Sequence, residues 1–154
     1  MSAEVKVSVQ KGDHKLELLD EALRLADFFD HLEASLKASG KGKADFSVVV
    51  KPNIMMFSHK ETPPATYTDM ELVEHLFDLL RGEGYENLKL VESQNVYGNW
   101  YQNRGVVNVA RISDHRPDLH GYEVVDLTEE SALPVRRQVA EGALRGKGLA
   151  GRRL

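Results

Sequence analysis

The sequence predicts an α/β domain: a three-layer, Rossmann-like fold built on a mostly parallel sheet with flanking helices. Two observations lead there. A near-continuous apolar segment at 46–51 and the strand pattern "NLKLVES" at 87–93 stand on either side of a strongly helical pattern. That strand–helix–strand order, at this spacing, reads as a right-handed crossover between parallel strands. In addition, three expected strands run into polar groups at their carboxyl ends, the side on which open parallel sheets bind ligands. At 154 residues the chain is one domain by length.

The elements follow in order. "EVKVSVQ" alternates, with Val5, Val7 and Val9 on one side and Lys6 and Ser8 on the other, so it is expected to be a half-buried strand near a sheet edge. Leu18, Ala22, Leu25, Phe29, Leu32 and Leu36 then recur in steps of four and three. These spacings predict one long helix with a single apolar face, ended by the glycines of "ASGKGKAD". Residues 46–51, "FSVVVK", form a strand whose apolar run suits a sheet covered on both faces. Thr68-Asp69-Met70-Glu71 fits a capping box, with Thr68 as N-cap. Leu72, Val73, Leu76, Phe77, Leu79 and Leu80 form the buried face of the helix that follows, and Gly82 and Gly84 stop it. "NLKLVES" and "GYEVVDLTEE" are the next strands, the second ending near Leu127. No internal repeat or low-complexity segment interrupts them.

Composition narrows the class. Apolar content of 42% and charged content of 29% are those of an ordinary globular chain, and a net charge of −4 gives no general attraction for nucleic acid. Without cysteine, the chain by itself offers no disulfide framework, thiolate zinc site, cysteine nucleophile or iron–sulfur cluster. No signal-peptide core and no run of membrane-spanning length is present, so a cytoplasmic location is expected. Residues 136–154 carry Arg136, Arg137, Arg145, Lys147, Arg152 and Arg153 against Glu141. Their net +5 leaves −9 for the first 135 residues. The basic tail lacks interleaved aromatics and reads as a solvated chain end rather than a nucleic-acid arm.

The polar strand ends are Lys51-Pro52-Asn53, Glu92-Ser93-Gln94-Asn95, and Asp126 with Thr128. Parallel strands end at one edge, so these groups are expected to meet. Pro52 forces Lys51 into extended geometry and cannot donate to a ladder, which fixes the lysine and Asn53 at the mouth of the sheet. The long loop at 53–67 brings Ser58, His59, Lys60 and Thr66 toward a helix N-terminus, where free N–H groups favour an anion. Lys51, Asn53, Thr66, Ser93 and Asp126 are therefore the expected ligand-binding residues for a small anionic molecule. Glu92 is the candidate general base. The alternative for each is a solvated strand cap or a turn residue.

Other motifs are weaker. Asp114, His115, Asp118 and His120 in "DHRPDLHG" have ligand chemistry, but the sequence around Pro117 reads as a polar surface turn, and no metal site is assigned. His75 reads as a boundary residue of its helix. Trp100 and Tyr101 in "YGNWYQNRG" read as packing over the sheet, with stacking on a ligand as the alternative. The glycine spacing of a phosphate loop and the serine of a nucleophile elbow are both absent.

Taken together, "VVVKPNIMM", "ATYTDMELVEHLFDLLRGEGYENLKLVES" and "GYEVVDLTEE" resemble the N-terminal part of the bacterial and archaeal domain of unknown function 362 family, over residues 5–135. The most specific element is Lys51-Pro52-Asn53 followed by Thr66 before the capped helix. The resemblance implies an α/β domain at 1–135 and links it to redox metabolism, since relatives are often joined to ferredoxin-like iron–sulfur segments. In this cysteine-free chain such a cluster would come from a partner. Relatives usually continue into a second half, so the resemblance also implies an incomplete fold with an uncovered sheet edge, open to self-pairing or homo-oligomer formation. "GKGLAGRRL", residues 146–154, is aperiodic and rich in Arg and Gly. It is expected to be a non-native continuation, from a frameshift or premature truncation. Two functions from different classes remain: a binding protein for a small anionic ligand, and a non-catalytic interaction module working through "YGNWYQNR" and the basic tail.

Overall fold

The computed structural model describes residues 6–54, 68–93 and 105–128. Their element order is α1 (Lys15–Leu25), α2 (Phe28–Ser39), β1 (Val48–Val50), α3 (Met70–Gly82), β2 (Leu88–Glu92), α4 (Val106–Ile112), α5 (Pro117–His120) and β3 (Glu123–Asp126). The three strands are parallel and lie in the order β1-β2-β3. Val48 pairs with Leu88, and Leu90 in turn with Val124. This is an α/β fold with a small parallel sheet.

The register assigns the faces. Side chains alternate along a strand, so Val48, Val50, Leu88, Leu90 and Val124 share one face, and all five belong to or pack against the core. Right-handed crossovers between strands that advance in one direction put their helices on one side of the sheet. The core agrees, because Val73, Phe77 and Leu80 of α3, Val106 and Ala110 of α4, and Leu36 of α2 join the same cluster. Phe77, Leu80 and Leu90 are fully buried, and each such side chain stabilises the fold by about 1.5–3 kcal/mol. The opposite face carries Val49, 55% exposed, an ion pair between Lys89 and Glu123 at 3.2 Å, and the buried Val91 and Val125. The described residues thus supply two layers. The both-face burial expected for residues 46–51 does not hold at Val49, and the strand is confined to Val48–Val50.

Two further expectations are corrected. Residues 6–10 form no strand, and Val7 and Val9 are 84% and 86% exposed. Alternation is a necessary pattern for a half-buried strand, but no neighbouring strand among the described residues offers these amides a ladder. The long first helix is also broken in two. Asp27 takes a left-handed conformation (φ 51°) between α1 and α2 and pairs with Lys6. Aspartate is among the few residues with a side chain that tolerate this region. The break lets Phe28 and Phe29 meet edge to face at 5.1 Å and both pack on the core. The apolar spacing continues across the break, so the pattern alone gave no sign of it.

The start of α3 is also shifted by one residue. Asp69, not Thr68, is the N-cap, and its Oδ1 accepts from the Glu71 backbone N–H at 3.0 Å. Thr68 has a different task, taken up below. No described helix is long and apolar enough to cross a membrane. The loop residues 55–67, the aromatic segment 94–104 and the whole tail from 129 lie outside the described residues, together with Thr66, Trp100, Tyr101 and the proposed non-native stretch.

Candidate functional site

The strand ends meet as the parallel order requires. At the end of β1, Lys51 reaches across to Glu92 at the end of β2, with Nζ 2.8 Å from Oε2. Pro52 and Ile54 behind the lysine are buried, which anchors the chain just past the strand. The two charges differ in setting: the lysine side chain is 59% exposed, the glutamate 9%. The second glutamate oxygen, Oε1, accepts the backbone N–H of Ser93 at 2.9 Å. Both carboxylate oxygens are thus engaged, which opposes a resting role for Glu92 as a free base.

Glu92 stands in register with Asp126 on β3, but Asp126 is committed elsewhere. Its Oδ2 accepts the Val106 N–H, the first of α4, at 3.2 Å, and its Oδ1 accepts the Thr128 N–H at 2.9 Å. An aspartate from the third strand therefore supplies the negative charge that a helix N-terminus favours. In the structure the Asp126 carboxylate, expected among the ligand-binding groups, takes two backbone amides of the fold.

Asn53 is joined to the start of α3 through its backbone. Its N–H donates to Thr68 Oγ1 at 3.0 Å, and its carbonyl accepts the Thr68 N–H at 2.6 Å. Thr68 thereby closes the base of the loop instead of capping the helix. With Asp69 on the Glu71 amide, and Lys15 paired to both Asp69 and Glu71, the first turn of α3 is occupied by the chain's own groups. The edge brings together Lys51, Glu92, Ser93 and Asp126, with Asn53 exposed beside them. Among the described residues of this edge the formal balance is one cation, Lys51, against two carboxylates, Glu92 and Asp126.

A second polar cluster lies at the opposite, amino end of the sheet, where the "DHRPDLHG" segment enters β3. Its centre is Glu74 of α3, buried with 4% of its side chain exposed. Glu74 Oε1 accepts the Arg116 N–H at 2.5 Å and the Tyr122 hydroxyl at 3.2 Å. Glu74 Oε2 stands 3.1 Å from His120 Nε2 and 3.8 Å from Arg116 Nη2. The other ring nitrogen of His120 meets Asp78 at 2.9 Å. Tyr122 stacks on Phe77 with ring centroids 4.2 Å apart, and its hydroxyl also faces His115 Nδ1 at 3.1 Å.

The expected surface turn keeps Asp114, Arg116, Asp118 and Leu119 exposed but sends His115 into a buried junction. His115 is only 6% exposed, and burial lowers its pKa, against the opposing pull of the Glu74 charge. Burial foremost, then the Glu74 charge and hydrogen bond, raise the pKa of the Tyr122 phenol. A lone glutamate on the buried face of a helix, with Val73, Phe77 and Leu80 around it, was the available sign, because a buried carboxylate requires donors. Helix α4 was missed as well, although Val106, Val109 and Ala110 stand at helical spacing. Among the described residues no three His, Asp or Glu side chains are placed to hold a metal ion. His75, expected at a helix boundary, pairs with Asp20 at 2.7 Å. No family model, curated protein or solved structure matches this chain.

Proposed function

We propose that this α/β domain binds a small anionic molecule at the carboxyl edge of its sheet, with Lys51 as the cationic contact. One observation carries the reading: Lys51 is an exposed lysine whose partner, Glu92, is held in place from the buried side. The ammonium can leave Glu92 and turn to an incoming carboxylate or phosphate, because the glutamate keeps the Ser93 N–H. Glu92 is assigned the role of resting counterion to Lys51, not of general base. The Lys-Pro-Asn strand end that resembles the domain of unknown function 362 family supports placing the contact here, and its redox association remains part of the proposal.

Thermal shift against a panel of small carboxylates, phosphate esters and amino acids tests this. A ligand at one hundred times its Kd should stabilise the chain by about 2.7 kcal/mol. At least one anion should give a saturable rise in Tm that Lys51→Ala removes. No rise with any member, or a rise that survives Lys51→Ala, overturns the proposal.

A further inference from the structure

The outer edge of β1 and the arm at residues 6–10 each lack a ladder partner, and their patterns fit one another. In a parallel strand, alternate residues turn their N–H and C=O to the same side. Val48 donates to the Asn87 carbonyl on the β2 side, so Val49 turns both its backbone groups away from β2. Among the described residues they meet no hydrogen-bond partner, and Val49 is 55% exposed. On the core side of this edge, Phe46 and Val50 are only partly buried. The arm has the complementary features. Val7 and Val9 alternate with Lys6, Ser8 and Gln10, the pattern of a strand with one apolar side. Both valines stand in solvent, and no backbone hydrogen bond engages the arm among the described residues. Its own contacts are with the helices. Lys6 pairs with Asp27 at the α1–α2 break, and a Cβ on Gly12 would stand 3.3 Å from Leu18. Helix α1 in turn packs on α2 and α3. An ion pair this exposed holds the arm only weakly.

We propose that the partner of this edge is a second copy of the chain: residues 6–10 of each copy add in parallel to the outer edge of β1 in the other. The faces set the register. With Val7 opposite Val48 and Val9 opposite Val50, both valines lie on the core side, beside the partly buried Phe46 and Val50. Ser8 then stands beside Val49, whose N–H donates to the Val7 carbonyl and whose carbonyl accepts the Val9 N–H. A slip of one residue would turn the valines to the other face. Charge sets the direction. In the parallel arrangement Lys6 lies at the end of β1 that follows Asp45, and the uncharged Gln10 lies beside Lys51. An antiparallel arm with its valines on the same face would set Lys6 against Lys51, and like charges opposite one another destabilise a pair. A mutual exchange occupies both arms and both edges, so the assembly closes as a two-fold dimer. The exchange does not rest on anion binding at Lys51.

The chain has no cysteine, so introduced thiols test the pairing directly. Full-length Ser8→Cys and Val49→Cys chains, one of them tagged, are mixed and oxidised. Neighbouring strands lie about 4.8 Å apart, within the Cα separations that a disulfide spans, so a mixed disulfide dimer should form. Val7→Cys points to the other face and should give markedly less of it with Val49→Cys. Light scattering of the parent chain should show monomer giving way to dimer as concentration rises. Val9→Pro removes the N–H that bonds to Val49 and should weaken dimerisation about tenfold or more. Val9 is 86% exposed, so this variant keeps the monomer fold, which circular dichroism verifies. A monomer at every concentration up to about 1 mM overturns the proposal, as does a dimer that Val9→Pro leaves unchanged. Mixed chains that form no disulfide overturn it too. An internal disulfide in the doubly substituted Ser8→Cys/Val49→Cys chain at high dilution, without the mixed dimer, would place the arm on its own sheet and likewise overturn the exchange.

Discussion

The carboxylate of Glu74 and the hydroxyl of Tyr122, 48 residues apart in the chain, meet at 3.2 Å in the interior. The contact ties α3 to the segment that leads into β3. Its neighbours make it a junction, since the same carboxylate takes the Arg116 amide and faces His120. Glu74→Ala would leave the Tyr122 hydroxyl and the Arg116 N–H without their acceptor. Such losses cost about 1–3 kcal/mol each, so the variant should be destabilised by about 2–6 kcal/mol in urea denaturation followed by circular dichroism. Glu74→Gln keeps the Oε1 acceptor and should lose roughly half as much. Equal losses for the two would show that the hydrogen-bond geometry is immaterial.

Stability should fall with acid through His115. Burial holds its folded pKa below the ordinary imidazole value of 6.5, so the unfolded chain takes up the proton first. The stabilising contribution is complete above pH 6.5 and is lost as the pH falls below it toward the folded value. The groups facing the ring from neighbouring elements are Tyr122, Glu74 and the exposed Arg116, and of these the Glu74 charge opposes the effect of burial. His115→Gln should therefore flatten the acid limb of the stability–pH curve relative to the parent chain. An unchanged limb would show that this histidine does not titrate with unfolding.

The turn before Tyr122 depends on Gly121. Its φ of 66° is left-handed, and a Cβ there would stand 2.8 Å from the guanidinium carbon of Arg81. Gly40 has the same conformation, φ 67°, with nothing within 4 Å of the added atom. Gly40→Ala should thus show the conformational cost alone, about 1 kcal/mol. Gly121→Ala should cost that much plus the displacement of Arg81, or about 1–2 kcal/mol in all. In an Arg81→Ala background the two glycine substitutions should become equal within about 0.5 kcal/mol.

The sheet and helix α3 were legible because their signals are local and periodic. Val48–Val50 and Leu88–Val91 announce buried strands, and Leu72 to Leu80 announce an amphipathic helix. The strand ends were legible for the same reason, and Lys51 and Glu92 do meet. What failed depended on partners distant in sequence. Val7 and Val9 alternate with polar residues like a strand, but alternation cannot supply a neighbouring ladder. The bond from Asp126 to the first amide of α4 was not legible, because Val106 stands 20 residues earlier in the chain. His115 and His120 read as surface residues around a proline, while the acid that draws their segment inward stands more than 40 residues earlier, on α3.

The Lys51–Glu92 pair gives a signed test of the first site. Glu92→Gln keeps an oxygen for the Ser93 N–H but removes the charge that holds the lysine. An exposed partner makes the ion pair itself worth little, about 0–1 kcal/mol, so the fold should survive the change. Freed of its counterion, Lys51 should bind a small anion more tightly, by about threefold to tenfold at low salt, and the gain should shrink as salt screens the charges. Lys51→Ala should abolish binding in both backgrounds. Calorimetric titration with the best anion from the thermal-shift panel, at two salt concentrations, reads the sign. Weaker binding by Glu92→Gln would mean that the carboxylate itself contacts the ligand, and that the lysine's release is not what admits it.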